Sequence, residues 1–276
     1  MKRQHPLRDA ALFSGIALAL SYFVFWGPIA ILRIRTLSFV GAGRGPVWAV
    51  TLFLVGGFVP SILAIVLALL TEGRAGVRAL WKRCLMFGIG IRWYATIAVV
   101  VIAAVGCQLL LAYVVGARPL LTPFLSQLPT FIPLILIGPI SEELGWRGFL
   151  LERLQQRWSA LLSSVAIGVV WAFWHLPLFF MVGTSQRLLR IPFAGFLIAL
   201  VMISIIMTWI NNNTGGSIWA AILFHWLYTY AAQATSAAVT RNPLYNWLEY
   251  VPYVLVGAAI AWSTQHNQAR DRLPPR

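Results

Sequence analysis

Acidic side chains are scarce in this sequence: 7 Asp and Glu stand against 21 Lys and Arg in 276 residues, and charged residues make up only 10%. A soluble domain carries about a quarter charged residues, so the shortage excludes an ordinary water-exposed fold. Cysteine is scarcer still. Cys84 and Cys107 lie in unlike surroundings with no CxxC spacing, which argues against a disulfide framework and a thiolate zinc site. No repeat of fixed period stands out, which weighs against a transporter built from obvious duplicated halves. No long polar insertion divides the chain either, so residues 1–276 read as a single membrane domain.

Apolar residues fill the space that charge leaves. They make up 60% of the chain, and the mean hydropathy is +0.80. A membrane-crossing helix needs about 20 mostly apolar residues. Stretches near 11–32, 47–71, 93–117, 129–146, 160–183, 192–210, 217–238 and 247–264 come close to that length. The expected fold class is therefore all-α: a polytopic membrane protein with a bundle of about eight transmembrane helices. The fourth stretch is the weakest, because Glu142, Glu143 and Arg147 fall at its C-terminal end. The first stretch follows Lys2, Arg3 and Arg8 and contains Ala17-Leu18-Ala19, a pattern that a cleaved signal would share. Its apolar run continues to Leu32, so an uncleaved first helix fits better.

Basic residues set the expected orientation. Loops on one side hold only Arg33, Arg35, Arg44, Arg118, Arg187, Arg190 and Arg241, leaving twice as many of the 21 on the other. The positive-inside rule then puts both termini in the cytoplasm; the expected location is the plasma (inner) membrane of a prokaryote. The basic residues sit between apolar blocks rather than in one aromatic-lined patch, so the expected partners are membrane lipids and not nucleic acid. The segment Arg74–Arg92 reads as an amphipathic helix on the cytoplasmic leaflet, or as a plain basic loop that enforces topology. Ser217, after the Asn211–Gly216 turn, is placed to cap the next helix.

Ionisable groups within membrane helices are expensive and mark function. Glu142 and Glu143 follow directly on the apolar run from Phe131 to Ile140. At helical spacing Glu143 faces Arg147 four residues on, in the favourable acid-before-base order, while Glu142 points about 100° away. We assign Glu143 a supporting role with Arg147, and Glu142 the role of general base. The plain alternative is a charge cluster at the membrane edge. His175 and His225 each lie in an apolar stretch. One such histidine is more often a packing residue than a catalyst, but two with a glutamate pair, on successive helices, match a site in a bundle core. Trp171 and Thr229 share helical faces with His175 and His225. Trp171 either walls a pocket or fills an interface. Thr229 either donates to an oxyanion or bonds the carbonyl four residues back.

These blocks resemble a known family, the intramembrane CAAX proteases and bacteriocin-processing enzymes (the CPBP or Abi family). The resemblance rests on Glu142-Glu143-Leu-Gly-Trp-Arg147, on Trp171-x-x-x-His175, and on Gly215-Gly216-Ser217-Ile218-Trp219-Ala220-Ala221-Ile222 leading to His225. It covers roughly residues 130–235, which it marks as a catalytic core. The family commonly has Phe where Trp171 stands and Asn where Thr229 stands. A threonine donates one hydrogen bond but lacks the amide carbonyl.

The resemblance implies an eight-helix membrane endopeptidase acting on a peptide or protein substrate, including lipid-modified ones. In the expected reaction Glu142, oriented with His175, deprotonates a water, and His225 with Thr229 stabilises the oxyanion. Where a divalent metal such as zinc is used, Glu142, His175 and His225 are its ligands, although the soluble HExxH signature is absent. Two other readings stay open: a proton-coupled transporter with the same residues as a relay, and a noncatalytic immunity or scaffold protein.

Overall fold

The computed structural model describes residues 5–36, 45–239 and 243–270. Lys2, Arg3, Arg44, Arg241, Arg272 and Arg276, which entered the charge count, lie outside the described residues. The protein is an all-α membrane protein. Its long elements are α1 (Pro6–Ile31), α2 (Val47–Glu72), α3 (Arg74–Cys84), α4 (Ile91–Val114), α5 (Phe131–Ile137), α6 (139–155), α7 (Ala160–Trp174), α8 (Phe193–Asn213), α9 (Ile218–Ala238) and α10 (Val251–Arg270). Among the described residues α1, α2, α4 and α8 are long and apolar enough to cross a membrane, and α7 is a shorter apolar helix. Large apolar side chains such as Phe23, Ile102, Leu110 and Leu255 face outward, as lipid contact requires and water disfavours.

Every expected span contains a helix, but two differ in a way that shapes the centre of the protein. The stretch 129–146 is two helices rather than one. Gly138 breaks the rod, and Pro139 starts α6 at a position where its missing N–H has no helical partner to lose. Glu142 and Glu143 therefore open a helix instead of closing one, and α6 runs on through a wide π turn, Leu144–Leu150, to Gln155. The stretch 160–183 stops early, at Trp174, with His175 as the capping residue. Pro177, two positions beyond His175, cannot continue a regular helix.

Helix α6 is enclosed by α2 on one side and α9 on another, while α7 lies along α8 and α8 against α10. Helices in lipid gain little from the hydrophobic effect and rely on close backbone approach. Gly145 supplies that approach: a Cβ there would stand 2.6 Å from the Pro60 carbonyl oxygen of α2. Gly168 does the same between α7 and α8, where a Cβ would stand 2.5 Å from Val201 Cα.

The ends of α7 and α9 are fixed by side chains. Ser159 caps α7 by accepting from Leu162 N at 3.2 Å. As expected, Ser217 caps α9, accepting from Ala220 N at 3.1 Å, and its hydroxyl also donates to the Met86 carbonyl at 2.9 Å. Gly215 and Gly216 both have positive φ, 68° and 81°, which lets the chain reverse between α8 and α9. The basic segment is helical over Arg74–Cys84. Its Arg83 donates to the carbonyls of Gly216, Gly148 and Arg147 and pairs with Glu152 at 2.7 Å. Burial lowers the Arg83 pKa from its ordinary value, and Glu152 opposes that shift.

Replacing Gly145 by Ala should force α6 away from α2 and destabilise the protein by about 1–3 kcal/mol. A lowered melting temperature of the detergent-solubilised chain is the expected result; an unchanged one would show that the two helices tolerate wider spacing.

Candidate active site

Glu142 is almost fully buried, and its Oε2 accepts two indole N–H groups, from Trp146 at 3.2 Å and from Trp171 at 2.6 Å. Trp146 stands four residues along the same helix, so the π turn carries it under the carboxylate. Both donors are neutral and both bind the same oxygen. Oε1 is left facing Gly138, where a Cβ would lie 3.9 Å from it and 3.8 Å from His225 Nε2. With only hydrogen at Gly138, the space between these two atoms stays open.

Glu143 is held differently. Arg147 Nη1 reaches both its oxygens, at 3.2 Å and 3.1 Å, with both side chains fully buried. That is the pair expected from the spacing. Glu143 has a second partner that spacing within α6 did not show: His225 Nδ1, 2.8 Å from Oε1. A carboxylate paired with arginine only accepts, so His225 carries its proton on Nδ1 and turns Nε2 toward the cavity. The Arg147 guanidinium also lies over the Trp171 ring, 4.8 Å from its centroid.

His175 is set by the end of its own helix. The last carbonyls of a helix need partners from outside the helical pattern. Tyr22 donates to Phe173 O and Ser21 to Trp174 O, each at 2.9 Å. Pro28 has no N–H to return to the preceding turn of α1, and the wide π turn Ser21–Phe25 beside it presents these two hydroxyls. Trp171 O takes His175 Nδ1 at 2.9 Å, which again leaves Nε2 unoccupied by that bond. Trp174 and Phe196 pack edge-on against the ring, with centroids 4.7 and 5.5 Å away.

Glu142, Trp171, His175, His225 and Thr229 all line one cavity of about 230 Å³. The structure therefore brings the expected residues together from α6, α7 and α9. Orientation of Glu142 runs through Trp146 and Trp171 rather than directly through His175, because those indoles take its Oε2. Trp146, Gly138, Ser21 and Tyr22 were not singled out in the sequence; only Trp146, at i+4 from Glu142, had a spacing that could have shown it.

The donor types suit a catalytic zinc, and a ring with Nδ1 engaged presents Nε2 as metal ligands commonly do. The spacing does not form a ready cage: among the described residues no group of three or more His, Cys, Asp or Glu is set to hold a metal ion.

Comparison with known proteins bears on this cluster. Residues 123–231 match the family described as type II CAAX prenyl endopeptidase Rce1-like. That segment, under half of the chain, is similar to the family. A protein of Methanococcus maripaludis named CAAX prenyl protease 2 is 36% identical over 104 residues, covering 35% of this chain and 38% of the relative. The chain thus matches well under half of that relative's length, and the matched family segment contains Glu142, His175, His225 and Thr229 alike.

Arg147→Met leaves the Glu143 carboxylate buried without its arginine, and should destabilise the protein by about 3–5 kcal/mol. Adding Glu143→Gln should recover part of that loss. Thermal unfolding of the single and double variants in one detergent measures both, and no recovery would mean that the pair is not the source of the loss.

Proposed function

We propose that this protein is an intramembrane endopeptidase, similar to the type II CAAX prenyl proteases, whose water is activated by Glu142. One observation carries the choice of base. Both oxygens of Glu143 are taken by Arg147 and His225, whereas Glu142 has one oxygen held by indoles and one facing open space. A base needs a free lone pair within hydrogen-bond reach of its water. Glu142 Oε1 meets that need, and Glu143 does not line the cavity where the water would sit.

In the proposed reaction a water sits by Gly138, between Glu142 Oε1 and His225 Nε2. Glu142 takes its proton as the oxygen attacks the scissile carbonyl. A new C–O bond forms, and the carbonyl electrons move onto oxygen. Thr229 donates a hydrogen bond from its hydroxyl to that oxyanion, and His225 Nε2, left as a lone pair by the Nδ1 proton, orients the attacking water. As the intermediate collapses, the C–N bond breaks and Glu142 returns its proton to the leaving amine. His175 Nε2, a lone pair on the cavity wall, accepts from the water or from a substrate N–H. Zinc binding would require Glu142, His175 and His225 to draw together from their present spacing. Metal content, with turnover before and after chelation, tests that.

The substrate is a peptide or protein segment within the membrane, including the prenylated kind that the relative's name denotes. Residues 1–276 act as a single membrane domain around a catalytic core at 130–235. The bias of Lys and Arg toward one set of loops supports cytoplasmic termini in a prokaryotic plasma membrane.

Glu142→Gln should lower turnover by about 10²–10⁴-fold while the protein still inserts and melts as wild type. Peptidomics of membranes holding each form supplies the substrate and the readout; unchanged products would remove Glu142 from the reaction. Gly138→Ala is the sharper test. Its methyl meets its neighbours at ordinary distances of 3.8 and 3.9 Å, so stability should hold. It fills the water position, so turnover should fall by about tenfold or more.

A further inference from the structure

The catalytic cavity has a second polar end. Along α9 the lining runs from His225 through Thr229 to Gln233, eight residues that span about 12 Å. The cavity lining also includes Gln108, Glu249, Tyr250 and Tyr253, with Tyr228 on α9 between His225 and Gln233. Gln108 is 2% exposed. Its Nε2 donates to the Glu249 backbone carbonyl at 2.8 Å, which fixes the amide's orientation and leaves Oε1 buried with no hydrogen-bond partner. Gln233 Oε1 is buried without one as well.

A buried acceptor without a donor is unfavourable by about 1–3 kcal/mol, and two on residues of a cavity wall that Glu249 also lines call for a ligand that brings hydrogen. The tyrosine rings add faces that attract cations; Tyr228 and Tyr253 stand edge to face, 4.9 Å apart. Charge agrees with this chemistry. Among the described residues that line the cavity there is no Lys or Arg, although the chain holds 21. The acids that line it are Glu142 at one end and Glu249 at the other.

We propose that this far end is a substrate subsite for a cationic amine or guanidinium, carried by a Lys or Arg of the peptide. The inference rests on the peptidase reading of the same cavity. An extended chain covers about 12 Å in three to four residues, so the bound cation lies about that far from the scissile bond. The acceptors take its N–H groups, Glu249 balances its charge, and the tyrosine faces replace part of its hydration. A phospholipid amine suits the site less well, because its phosphate would approach Glu249.

The test uses the full chain in detergent and apolar peptides that differ only in one Lys, norleucine or Glu. Binding is read by fluorescence anisotropy and cleavage by mass spectrometry. Wild type should bind the Lys peptide about tenfold or more tightly than the norleucine one, with Glu weakest. Glu249→Gln and Gln108→Leu should erase the preference, and Glu249→Asp should restore it in part. Equal wild-type binding of Lys and norleucine peptides overturns the subsite without recourse to any variant. So does a preference that survives Glu249→Gln, or displacement of the Lys peptide by phosphatidylethanolamine at equal concentration. Lys-dependent binding without any cleavage would retire the peptidase reading and keep the subsite. Cleavage indifferent to Lys would do the reverse.

Discussion

The contact on which this protein turns is the buried one between Arg147 and Glu143. Neither side chain reaches solvent, and an isolated charge at such a place is strongly disfavoured. The pair resolves that problem within one turn of α6. Its third member gives it a use beyond packing: the oxygen of Glu143 that Arg147 shares is also bound by His225 from α9. The bond that settles a buried charge thus sets the direction of an imidazole. Arg147 keeps two nitrogens without hydrogen-bond partners, and the Trp171 ring lies under its guanidinium. Trp171 then bonds Glu142 through its indole and His175 through its carbonyl. A chain of contacts from one ion pair reaches every ionisable group of the site.

Much of this was legible in the sequence, and the reasons differ by residue. Glu143 and Arg147 were readable because helix geometry alone brings i and i+4 together. Ser217 was readable as a cap because it sits between a turn and an apolar run. Convergence of Glu142, His175 and His225 was readable because lipid forbids scattering such groups over outer helix faces. The breaks were harder. Gly138-Pro139 and Leu176-Pro177 both signal a helix boundary, yet hydropathy counts apolar residues and passes over them. The result was one span in place of two helices at 129–146, and a helix carried past His175. The contacts from Glu143 to His225 and from Tyr22 and Ser21 to the end of α7 join residues far apart in the chain. No local period encodes them.

The few acids of the chain also sort by the partners they keep. Glu72 pairs with Arg153, Glu152 with Arg83 and Glu143 with Arg147. Glu142 is bound instead by two indoles. The difference matters because arginine can engage both oxygens of a carboxylate, as it does at Glu143, and Glu143 does not line the cavity that Glu142 faces. An indole has one N–H and closes one lone pair. Two of them on Oε2 steady the group without occupying Oε1. Neutral donors therefore anchor the carboxylate proposed as the base, and a cation anchors its neighbour. The adjacency of Glu142 and Glu143, which looks redundant in the sequence, is resolved by which neighbours the helix brings to each.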